Sequence, residues 1–118
     1  MTAAAITFGS FSLNQKDVYT STDDEAFFGG REWVGSIDRQ TSRRGKWSEY
    51  TAWIWSPTQD GGERELVSRT FWGGSRDDSL REWACSGSWR ADRADETFSS
   101  GPEALAAAKR WAKATATT

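Results

Sequence analysis

The chain has no histidine and one cysteine, Cys85. Without histidine there is no Ser-His-Asp or Cys-His nucleophile system, no histidine-bound zinc and no imidazole pH switch. One cysteine cannot close an internal disulfide or build a thiolate cage. Mid-strand, on the parity of Trp83, it reads as a small buried hydrophobe. No apolar run approaches the roughly 20 residues that span a bilayer. The opening residues Met1–Ile6 lack the basic and long apolar regions of a signal peptide. A cytoplasmic location is the expectation. Only two prolines are present, and mean hydropathy is low at -0.73.

Set against these absences are eight tryptophans in 118 residues, with aromatic residues at 14%. A disordered chain is poor in aromatics, so one folded domain, residues 1–118, is expected. Net charge is -2. The charge is zoned: residues 1–30 and 59–98 are acidic, and 31–58 and 99–118 are mildly basic. None is basic enough to argue for duplex DNA.

The pattern predicts strands over Ala4–Leu13, Asp17–Tyr19, Glu32–Arg39, Trp47–Trp55, Arg64–Trp72 and Arg81–Ala91. A bulge or bend is expected at Gly9–Ser10, where the alternation changes phase. Trp33, Gly35 and Ile37 share one parity. In the fourth strand Trp47, Thr51, Trp53 and Trp55 oppose Tyr50, Ala52 and Ile54. Helical spacing appears over 102–114, opened by Ser100-Gly101-Pro102-Glu103 as a capping box. Residues 115–118 read as a frayed tail. The fold class is α+β: an antiparallel sheet of five or six strands with one C-terminal helix packed on one face. A partly closed barrel with an appended helix is the alternative.

The segment from Trp83-Ala84 through Phe98-Ser99-Ser100 to Glu103-Ala104 and Ala106–Ala108 resembles the sheet-plus-helix layout of AP2-type DNA-binding domains. The basic strand face that such domains use on DNA is missing, because Arg81 and Arg90 are interspersed with Glu82, Asp92 and Glu96. The resemblance implies layout alone.

Eight indoles exceed what a small core takes comfortably, and about five are expected inside it. Trp53 or Trp55, and Trp72, are expected at the surface, because both parities of their strands are apolar. Trp is enriched where proteins dock. The first functional expectation is a non-catalytic domain that binds another protein through Trp55 and Trp72. The acids Asp23, Asp24, Glu25, Asp77 and Asp78 would complement a basic surface. Small inhibitors from phages and mobile elements, including those acting on CRISPR complexes, have this profile, so a host nucleoprotein complex is the expected partner by analogy of type. The second expectation is single-stranded nucleic acid or glycan, met by Arg43, Arg44, Lys46 and Trp47 at a basic turn. The third is a small virion or assembly component. The carboxylates show no spacing that fixes a catalytic pair, Asp60–Glu63 reads as a turn, and no phosphate loop or dinucleotide fingerprint is present. No enzyme activity, cofactor, metal or membrane partner is expected.

Overall fold

A computed structural model describes residues 5–21, 30–42, 45–57, 63–74 and 87–117, without the side chains of 87–89. Six strands form one sheet in sequential order: β1 (Ile6–Phe8), β2 (Gln15–Ser21), β3 (Arg31–Thr41), β4 (Trp47–Ser56), β5 (Glu65–Gly74) and β6 (Glu96–Phe98). The first five pair antiparallel; β6 runs parallel to β5. Two helices complete the chain, α1 (Gly87–Arg93) and α2 (Gly101–Thr117). This is the expected α+β class, with one long C-terminal helix against the sheet.

Alternation in β4 decides which face is covered. Tyr50, Ala52 and Ile54 are buried, and with Val18, Val34, Ile37 and Phe71 they form a core under α2. The helix contributes Ala104, Ala107, Ala108, Ala112 and Ala116. Such small side chains let its backbone sit close to the sheet. Contact is tightest at Gly73, where a Cβ would strike the Ser100 carbonyl and the Ala104 methyl. Ser100 Oγ accepts the Glu103 backbone N–H at 3.3 Å, as the capping pattern predicts. The Glu103 carboxylate takes its bond from the Ser99 hydroxyl at 2.9 Å. The helix continues past the expected fraying point: Ala116 is buried, and the Thr115 carbonyl accepts from Ser56 Oγ at 3.0 Å.

Two expectations need correction. The first strand ends at Phe8, and Leu13 lies in a tight turn with Asn14, both at positive φ (50° and 64°). Two left-handed residues match the twist of a two-residue hairpin, and this turn replaces the expected extension. The strand breaks at Gly9–Ser10, where the phase changes. A separate bulge that the pattern does not announce lies in the β2–β3 pair, where the register shifts between Val18 and Tyr19, opposite Val34. Finally, Gly87–Ala91 is helical and not strand. Its Gly87 and Trp89 continue the alternation of Trp83 and Cys85 and so imitate a strand, yet Ala91 packs onto Trp47 and Trp72 from a helix on the other side of the sheet from α2. The earlier part of that predicted strand, 81–86, lies outside the described residues, as does Cys85. A parallel neighbour needs a long crossover, and the chain from Gly74 to Glu96 supplies one that includes α1. Among the described residues no helix is long and apolar enough to cross a membrane.

Candidate interaction face

Among the described residues, the second face of the sheet is covered by α1. Trp47 and Trp72 lie under that helix with Ala91, and Trp72 is 1% exposed. The expected surface role of Trp72 therefore fails in this structure. Both parities of β5 are apolar because both are covered there, Phe71 by α2 and Trp72 by α1. Trp47, expected to stack a ligand, is buried in the same cluster, and the Arg90 guanidinium lies 5.6 Å from its ring centre. Lys46 is exposed beside it.

Beyond α1, no described element covers the face. Trp33 (48% exposed), Trp53 (41%), Trp55 (36%) and Leu66 (46%) all project from it. The ladder sets their order. Trp55 pairs with Leu66 across β4–β5, and Trp53 pairs with Ser36 across β3–β4. Trp33 pairs with Tyr19 across β2–β3. Apolar side chains therefore run across four neighbouring strands. Trp53 and Trp55 match the expectation from β4.

Trp33 does not follow from parity. It shares odd numbering with Gly35 and Ile37, yet Ile37 is in the core. The extra residue at Val34 reverses the phase, so Trp33 emerges on the open face. There its indole N–H donates to Asp17 Oδ1 at 3.1 Å, which fixes the ring. Arg31 stacks on Tyr19 beside it, 4.7 Å from the ring centre.

The polar groups between these rings carry both signs. Arg90 Nη1 donates to Gln40 Oε1 at 2.6 Å and to Glu49 Oε1 at 3.0 Å, pinning α1 to the sheet. The Thr51 and Thr70 hydroxyls are 3.2 Å apart. They floor a recess of about 230 Å³ between Trp53 and the arginines of α1. Asp38 is exposed next to this recess, and among the described residues it pairs with no cation. At the β1–β2 turn Leu13 is 98% exposed. It lines a second recess with Asp38, Gln40, Glu49 and Thr51 of the same face. Leu13, Trp33 and Leu66 are the site residues that sequence reasoning missed. Asn14, which tolerates left-handed backbone, is the turn signal that could have located Leu13.

Asp23, Asp24, Glu25, Asp77 and Asp78 lie outside the described residues, as do Arg43 and Arg44. Among the described residues no group of three or more potential metal ligands gathers. The fold and the face define an α+β domain with one helix-covered and one largely open sheet face. No protein-family model, curated protein or solved structure matches the chain.

Proposed function

We propose that this is a non-catalytic docking domain that binds a partner protein through the open sheet face. The observation that carries the reading is the row of exposed Trp33, Trp53, Trp55 and Leu66 on a face whose other side chains are mostly polar. Indoles offer large rigid contact area with little entropy to lose on binding. The charge on this face selects the partner's chemistry. Asp17, Asp38 and Glu49 offset Arg31, Arg90 and Arg93, so the face lacks the positive surplus that a phosphate backbone needs. Asp38 beside Trp53 suits an incoming arginine, which can pair with the carboxylate and stack on the indole. The partner is therefore a protein surface that presents arginine among apolar side chains. In its finer form this reading makes the domain a cytoplasmic inhibitor, of phage or mobile-element type, that docks on a basic host nucleoprotein complex.

The test begins with capture of partners from nuclease-treated lysate, followed by titration of the purified partner. Trp53→Ala and Trp55→Ala should each weaken binding about tenfold or more, equivalent to about 1.4 kcal/mol. Asp38→Lys should weaken it and reduce its salt dependence. Arg110→Ala, on the exposed side of α2, should leave it unchanged. Unaltered affinity in folded Trp variants would overturn the reading. So would saturable quenching of Trp fluorescence by single-stranded oligonucleotides at physiological salt.

A further inference from the structure

The helix-covered face holds a group of cations that has no carboxylate within ion-pair distance among the described residues. We infer that Lys16, Arg39 and Lys109 form an oxyanion site that takes a phosphate group. Lys16 is buried, and its ammonium sits 4.6 Å from the Phe11 ring centre. The Arg39 guanidinium lies 4.1 Å from the same ring centre. Lys109 reaches in from α2, 5.7 Å from the ring centre of Phe8. Phe11 in turn leans on Tyr50, with ring centres 6.1 Å apart.

Lys16 and Arg39 meet neutral acceptors. Lys16 Nζ donates to the Gly9 carbonyl at 2.6 Å, and Arg39 donates through Nε and Nη2 to Asn14 Oδ1, each at 3.2 Å. Among the described residues no carboxylate lies within ion-pair distance of any of them. Two arginines elsewhere have one: Arg69 pairs with Glu96 at 2.9 Å and Arg90 with Glu49 at 3.0 Å. The acids next in sequence, Asp17 and Asp38, point to the opposite face because strand neighbours alternate. Mutual repulsion and burial both disfavour the Lys16 ammonium. An anion with several acceptor oxygens would relieve both. An ammonium has three N–H groups and a guanidinium five, so each side chain keeps donors that the chain itself does not use. Two ammoniums and a planar guanidinium suit a doubly charged tetrahedral oxyanion better than a single carboxylate.

The probes are inorganic phosphate and adenosine monophosphate, each titrated at constant ionic strength against chloride and acetate. Backbone resonances of β2, β3 and α2 provide the readout. Saturable shifts with inorganic phosphate, at least about fivefold tighter than acetate, support the site; tighter binding of the nucleotide identifies a phosphate ester as its source. Lys109→Gln, on the partly exposed rim, should weaken phosphate binding several-fold without unfolding the chain, and Arg39→Gln should do the same. Shifts that follow ionic strength alone, equal response to acetate, or unchanged binding in folded Lys109→Gln would overturn the inference.

Discussion

Leu13 combines two unfavourable features: it is almost fully exposed, and its backbone is left-handed with φ at 50°. A branched side chain costs about 1 kcal/mol or more in that region, and asparagine far less. Leu13→Asn should therefore raise stability by about 0.5–1 kcal/mol in chemical denaturation. If Leu13 is retained as an anchor beside the open face, the same change should weaken partner binding. Lys16 offers a second residue-scale prediction. Burial first, then the charges of Lys109 and Arg39, hold its pKa below the ordinary 10.5. Below the lowered value Lys16 is charged in both states and the folded chain bears the full penalty. As pH rises through that value towards 10.5, the folded chain releases the proton while the unfolded chain keeps it, so stability rises. The stability of Lys16→Met relative to the wild type should thus be greatest at neutral pH and should fall towards 10.5. A constant difference across that range would contradict it. At this scale the sequence was readable at Trp53 and Trp55, where strict alternation holds. It was misleading at Trp33, where one bulged residue reverses the phase.

Helix α2 is the element most plainly written in the chain. Its alanine stripe and Ser100 cap appear as helical spacing and a capping motif before any coordinates are seen. Its packing distance depends on Gly73, which accepts the Ser100 carbonyl where a methyl would collide. Because the obstruction is backbone, relief requires the start of α2 to move. Gly73→Ala should cost about 3 kcal/mol, seen as a lower denaturation midpoint with an unchanged slope. A loss below about 0.5 kcal/mol would show that the junction yields easily. α1 and β6 were not legible. The alternation that Gly87 and Trp89 continue is equally compatible with a strand and with a short helix whose Ala91 docks on Trp47 and Trp72. Three-residue β6 carries too little pattern to announce itself, and its parallel partner is fixed by the crossover.

For the molecule as a whole, the decisive asymmetry lies between two faces of one sheet. Among the described residues, a single long helix covers one face, and a seven-residue helix covers only part of the other. Composition alone signals surplus tryptophan; only the strand order and the bulge decide that Trp33, Trp53 and Trp55 share the uncovered side. Among the described tryptophan side chains, Trp47 and Trp72 are buried beneath α1, while Trp111 packs against the core under α2. Indole N–H groups resolve individually in proton–nitrogen spectra, so one titration can examine both faces. Addition of the captured partner should shift or broaden the Trp33, Trp53 and Trp55 indole signals while Trp111 stays in place. Shifts centred on Trp111, with the three open-face indoles unmoved, would contradict docking through the open face.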